Sequence, residues 1–134
     1  MMKRDLNLWS DMPLGKTVLV VDDDDMCRRH ILSLVSEFTV GEVLQAHDGM
    51  EALQHYIEAR PDIVFMDINM PNMDGFEALR RIREANRDAC VIIVSSNATK
   101  ADVFKALKLG ARHYIRKDLP KECLRPMIRQ MMSA

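Results

Sequence analysis

The chain has 134 residues, 48% of them hydrophobic and 29% charged, which suits one globular domain around one core and excludes a second sizeable domain. Five Gly and five Pro among mixed charges exclude a collagen-like repeat and a largely disordered chain. The 19 Lys+Arg against 20 Asp+Glu leave a formal net charge of −1, unlike a protein that coats nucleic acid or an anionic membrane. That charge is unevenly placed, with nine Lys/Arg against three Asp/Glu from Lys100 onward, a local +6, and ten against seventeen before it, −7.

No uninterrupted apolar run approaches the roughly 20 residues that span a bilayer. The start, Met1-Met2-Lys3-Arg4-Asp5-Leu6, lacks an apolar signal core, so a cytoplasmic protein without a membrane partner is expected. Cys27, Cys90 and Cys123 are odd in number and form no CxxC, which indicates free, mostly buried thiols rather than disulfides or zinc ligands. The eleven Met show no helical stripe and read as gap-fillers of the core.

Residues 1–15 lack sustained periodicity and carry Pro13 and Gly15 before the first strong apolar run. They read as an extension, with Trp9 available to dock on the domain formed by residues 16–134. Five short β-branched or aromatic runs follow: Thr17–Val21, Val43–Ala46, Ile63–Met66, Val91–Val94 and Tyr114–Ile115. Each has the length and content of a strand. Helical patterns lie between them. Ile31, Leu34, Val35 and Phe38 share one face, and Val103, Leu107 and Gly110 mark another. Asp48 before Glu51, Asp74 before Glu77 and Thr99 before Asp102 have the three-residue spacing of a helix-capping box or a close variant. In the last helix Pro120 suits the first turn, and Leu124, Met127, Ile128 and Met131 form the apolar face. Pro126 removes a donor within that helix and is expected to kink it or delay its regular part. Five strands alternating with five helices, the strands almost continuously apolar, predict a doubly wound α/β domain with a parallel sheet covered on both faces.

In such sheets ligands bind beyond the carboxyl ends of the strands. Here the first strand is followed by Asp22-Asp23-Asp24-Asp25, the third by Asp67-Ile68-Asn69, the fourth by Ser95-Ser96 and the fifth by Lys117. Taken alone, the Asp run fits a solvated acidic loop with helix caps at Asp24 or Asp25. Its placement against Asp67, Ser95 and Lys117 favours a site instead. Carboxylates this close repel one another and call for a hard cation, and an oxygen-only set that leaves room for water and a phosphoryl oxygen suits Mg²⁺.

The segments Val18-Leu19-Val20-Val21-Asp22-Asp23, Asp67-Ile68-Asn69-Met70-Pro71-Asn72-Met73-Asp74-Gly75, the Ser95 region and Gly110-Ala111-Arg112-His113-Tyr114-Ile115-Arg116-Lys117 carry a resemblance. Over about residues 16–133 the chain resembles the receiver domain of two-component response regulators, of the single-domain chemotaxis type. That resemblance implies a flavodoxin-like sheet of order 2-1-3-4-5 and a phosphoryl group accepted on Asp67 from a histidine kinase or phosphotransfer protein. It implies Mg²⁺ held by Asp23 and Asp67 side chains, by the Asn69 backbone carbonyl and by Asp22 through water, with Lys117 and Ser95 assisting the transfer. Ser95 and Tyr114 would then act as the switch. The output surface would be the face of the fourth helix, fifth strand and fifth helix, where Lys100, Lys105, Lys108, Tyr114 and Lys121 lie on or near a basic patch that suits a protein partner. The chain would work as a monomer or a phosphorylation-dependent dimer.

Some residues depart from the family pattern. Asp118 stands where a proline usually follows the lysine, so a trans bond and a different path for Lys117 are expected, with Asp118 capping the last helix. Ser96 should leave the entrance open. Asn69 and Asn97, each two residues beyond a site residue, are neutral amides and no obvious general bases. Direct nucleic-acid binding is not expected without a recognition helix or stacking aromatics. His30, His47, His55 and His113 share no ligand spacing. Two other readings stand beside a phosphorylated signalling domain. One is a phosphate-independent adaptor. The other is an aspartyl-phosphate phosphatase, which typically has a second Asp where this chain has Asn69.

Overall fold

The computed structural model describes residues 15–133, so the expected extension, Trp9 included, lies outside the described residues except for Gly15. Strands β1 (Val18–Val21), β2 (Val43–Ala46), β3 (Ile63–Met66), β4 (Val91–Ser95) and β5 (His113–Arg116) alternate with helices α1 (Asp25–Ser36), α2 (Gly49–Ala59), α3 (Gly75–Ala85), α4 (Lys100–Lys108) and α5 (Lys121–Ser133). All neighbouring strands are parallel, in the order β2-β1-β3-β4-β5. The predicted β2 and β3 match residue for residue. The β5 ladder runs one residue further at each end because His113 and Arg116 still pair with Ile92 and Ser95.

The central strands β1, β3 and β4 are buried throughout because both faces of the sheet are covered there, whereas the edge strands β2 and β5 expose Gln45, His113 and Arg116. Leu19, Val21, Val64, Met66, Val91 and Ile93 meet Ala52 and Tyr56 of α2, Ala78, Leu79 and Ile82 of α3 and Ala106 of α4. The alternate residues Val18, Val20, Ile63, Phe65, Ile92, Val94 and Ile115 meet Ile31, Leu34 and Val35 of α1 and Leu124, Ile128 and Met132 of α5. Each fully buried Leu, Ile or Phe contributes roughly 1.5–3 kcal/mol relative to exposure, so the two cores hold the sheet edge where the site lies.

The predicted caps form. Asp48 accepts from the Glu51 N–H at 2.8 Å, Asp74 from the Glu77 N–H at 2.9 Å and Thr99 from the Asp102 N–H at 3.1 Å. In α3 the Glu77 carboxylate turns to its own helix, accepting from Arg80 at 2.6 Å and Arg81 at 2.9 Å. Those bonds, Arg80 first, pull its pKa from the ordinary 4.5 to about 2. A depressed carboxyl contributes stability that is present above 4.5 and lost as pH falls through about 2. An NMR titration of the Glu77 carboxyl should therefore show a midpoint near 2, and Arg80→Gln should return it toward 4.5.

Four expectations need correction. On α4 the buried residue is Ala106, while Val103 is half-buried, Leu107 is exposed and Gly110 lies beyond the helix. A small side chain lets α4 approach the sheet, and Phe104 and Leu107 are left outward at 66% and 50% exposure. Pro120 precedes α5, and its carbonyl accepts from the N–H groups of Cys123 and Leu124 in the first turn. The delay expected from Pro126 does not occur, since α5 is helical from Lys121 onward. Pro126 and Glu122, whose carbonyl loses its intrahelical donor, are both exposed, so water can serve instead. The three thiols are free, but Cys123 is exposed and Cys27 and Cys90 are only half-buried.

Candidate functional site

The ladder itself brings the candidate residues together. Beyond the strands, the N–H of Asp22 still donates to Ala46, that of Asp67 to Val21 and that of Lys117 to Ser95. Asp22, Asp67, Ser95 and Lys117 are thus anchored by sheet-like bonds at one edge. Gly75 makes the turn after β3 possible, because its N–H donates to Ile68 at 2.7 Å and a Cβ there would lie 2.1 Å from the Asp67 carbonyl oxygen. The same loop is tied sideways, with Asn72 donating to Asp48 at 2.7 Å from a left-handed backbone of φ 67°.

Asp22, Asp23 and Asp67 each bring a carboxylate oxygen within 4.8 Å of the others, and among the described residues this is the one such group of possible metal ligands. Asp22 and Asp67 are buried and Asp23 is exposed, so the cluster opens to solvent on the Asp23 side. An oxygen-only donor set with that opening fits a hard divalent cation that keeps part of its water shell. The ammonium of Lys117 lies 3.0 Å from both Asp22 Oδ2 and Asp67 Oδ2. The second Asp67 oxygen accepts from the Ile68 N–H at 2.7 Å, and Asp22 Oδ1 from the Asp24 N–H at 2.9 Å. Burial pushes the Asp22 carboxyl above its ordinary value, with the Asp24 N–H and Lys117 opposing. Burial works to lower Lys117, but its hydrogen bonds to Asp67 and Asp22 outweigh that and hold it above its usual value, so it is charged at any neutral pH. The bond Lys117–Asp118 is trans, and the lysine still reaches both carboxylates.

Ser95 is fully buried at the end of β4, and its hydroxyl accepts from the Asn97 N–H at 3.2 Å. The half-buried Tyr114 donates its hydroxyl to the carbonyl of the same Asn97. Asn97 therefore links the two predicted switch residues. Asn69 is exposed in the loop after Asp67. Asp118 does not act as the expected cap, since both its oxygens accept from the Arg116 guanidinium, at 3.1 and 2.7 Å. A charged, two-pronged donor two residues away on β5 outcompetes the backbone groups of α5.

Of the surplus acids in the first loop, Asp24 caps α1 by accepting from the Met26 N–H at 3.0 Å, and Asp25 pairs with Arg28 at 2.6 Å. Arg28 is a residue that the sequence reading missed. It is 6% exposed and donates to the Asp22 carbonyl and to Gln45 Oε1, each at 2.9 Å. Its three-residue spacing from Asp25 was the available signal. Beside the cluster, Met26, Cys27, His30, Ile31 and Lys117 line a shallow hollow. Lys100, Lys105, Lys108 and Lys121 are exposed, and Lys105 lies over the Phe76 ring at 4.4 Å. His47 and His55 both approach Glu51, at 3.1 and 3.9 Å. No helix among the described residues is long and apolar enough to cross a membrane.

Comparison with known proteins agrees with this fold. The chain is 36% identical over 102 residues to the chemotaxis protein CheY of Thermotoga maritima, covering 76% of this chain and 85% of that protein. It is 35% identical over 122 residues to the CheY of Halobacterium salinarum, covering 90% and 100%. Among solved structures, the CheX-CheY-BeF3-Mg+2 complex of Borrelia burgdorferi contains a chain that superposes with a TM-score of 0.79 at 31% identity, covering 90% of both chains. Residues 18–129 match the response regulator receiver domain family, and with the β2-β1-β3-β4-β5 sheet the chain belongs to the receiver domains of two-component signalling.

Proposed function

We propose that this chain accepts a phosphoryl group on Asp67 from a histidine kinase or phosphotransfer protein, with Mg²⁺, and then presents an altered α4-β5-α5 face to a protein partner or an output domain. The observation that carries this reading is the single ammonium of Lys117 lying 3.0 Å from both Asp22 and Asp67, with Asp23 completing the acidic group. Asp23 and Asp67 would hold the ion directly, with the Asn69 carbonyl, and Asp22 through water. Bound there, Mg²⁺ supplies positive charge against the phosphoryl oxygens.

The chain's own residues do the rest. An Asp67 oxygen attacks phosphorus in line as the donor's P–N bond breaks and the freed imidazole keeps or takes up its proton. Lys117, held charged, leaves its carboxylate contacts for the transferred oxygens, and Ser95 donates its hydroxyl to one of them. That movement pulls on the Asn97 N–H now bonded to Ser95, and through the Asn97 carbonyl on the Tyr114 hydroxyl. The hollow of Met26, His30 and Ile31 beside Lys117 suits docking of the donor, and the exposed lysines with Phe104 and Leu107 suit the output partner.

Intact-mass analysis after incubation with Mg²⁺ and acetyl phosphate tests the reading. One labile phosphoryl adduct is expected on the wild type, lost on Asp67→Ala and without Mg²⁺. If neither acetyl phosphate nor a phosphorylated histidine kinase loads the wild type, the adaptor reading replaces this one, and continuous release of phosphate from phosphomonoesters would point to the phosphatase.

A further inference from the structure

We propose that Arg28 is a positioning residue for the metal-binding loop and that Asp25 is its counter-ion rather than an extra ligand. The inference rests on the reading that the acidic group binds Mg²⁺ and adds to it a residue of α1 that touches none of the reacting atoms. Arg28 is among the few buried charged residues, at 6% exposure. Its guanidinium uses all three nitrogens: Nε donates to Gln45 Oε1 of β2 at 2.9 Å, Nη1 to the Asp22 carbonyl at 2.9 Å and Nη2 to Asp25 Oδ1 at 2.6 Å.

The Asp22 carbonyl is the critical partner. β1 ends at Val21, so this carbonyl has left the regular strand at a place shielded from water, where a backbone acceptor needs a donor. It belongs to the peptide that joins Asp22 to Asp23, and its orientation sets the direction in which the Asp23 side chain leaves. Gln45 fixes the guanidinium from β2, and Asp25 fixes it from the first turn of α1. The three anchors define the plane of the fork. Asp25 also offsets the positive charge, so that a rigid donor can stand near a cation site without an unbalanced repulsion. Lysine, with one ammonium on a flexible stem, cannot reproduce three divergent bonds.

The test is a calorimetric titration of the full chain with MgCl₂, paired with phosphoryl uptake from acetyl phosphate across a Mg²⁺ series. Arg28→Lys keeps the charge and removes the fork, and should weaken Mg²⁺ binding about tenfold, as loss of an outer-shell partner does. Uptake at saturating Mg²⁺ should recover to near the wild-type rate. A merely structural role would lower the melting temperature and maximal uptake while leaving the Mg²⁺ midpoint in place. Arg28→Met, which removes charge and fork, should also weaken binding; tighter binding would show that charge alone matters and overturn the proposal. Should either variant fail to fold, Gln45→Met removes one anchor at an exposed strand position and should shift the midpoint in the same direction. Wild type that binds Mg²⁺ beside variants of unchanged affinity defeats the role of Arg28 alone. Wild type that binds none defeats the functional reading with it.

Discussion

Lys117→Met is expected to destabilise the metal-free protein by about 3 kcal/mol at neutral pH, the cost of leaving a buried charge without its partner. The Lys117 side chain is 13% exposed, against 5% and 7% for the Asp22 and Asp67 side chains it joins, so solvent screens little of the loss. The pH dependence separates charge from packing. Asp22 already lies above its ordinary 3.8 because burial opposes ionisation, and removing Lys117 takes away two of the influences that hold it down. A carboxyl raised in the fold costs stability only where it is ionised, so the defect should shrink as pH falls below the raised value and be largely gone near 3.8. In the wild type the lysine's own contribution is fully present below its ordinary 10.5 and is lost only as pH rises through its higher folded value. Urea unfolding at neutral pH and near pH 4 checks this, and an equal loss at both would assign the effect to packing. Mg²⁺ should restore more stability to the variant than to the wild type, while phosphoryl uptake stays on the order of a hundredfold slower for want of a preorganised cation.

What was legible in the sequence were the features set by local pattern. Short apolar runs located β2 and β3 to the residue and the others to within one, and the central β1, β3 and β4 stay apolar to the sheet's end because they are covered on both faces. The caps at Asp48, Asp74 and Thr99 were legible because each bonds within three residues. Features that depend on distant partners were not. The periodicity of α4 offered Val103 and Leu107, yet the sheet accepts Ala106, since how closely a helix approaches is decided by the strands beneath it. No local pattern marks Arg28 as buried. Its burial depends on Gln45, seventeen residues on, and on a carbonyl turned out of the strand. Asp118 was read against the backbone of α5, and the side chain of Arg116 took it instead.

Asp23→Asn is expected to move binding and stability in opposite directions. It removes the exposed carboxylate from three that lie within 4.8 Å of one another, while Lys117 bonds only to the other two. Without an ion, the third charge is therefore an uncompensated repulsion, of order 1 kcal/mol at that separation for an exposed group screened as in bulk water. The variant should gain roughly 0.5–1 kcal/mol in metal-free unfolding. The same change takes away a charged donor that no neighbour can replace, and Mg²⁺ affinity should fall about a hundredfold. As Mg²⁺ rises to 100 times its dissociation constant the wild type gains about 2.7 kcal/mol and the variant far less, so their unfolding midpoints should cross within one titration. Parallel curves would show that Asp23 is not a ligand, and a metal-free variant less stable than wild type would show that Asp23 stabilises the loop by itself. A crossing would mean that the repulsion among these acids is retained in the metal-free fold because the ion relieves it.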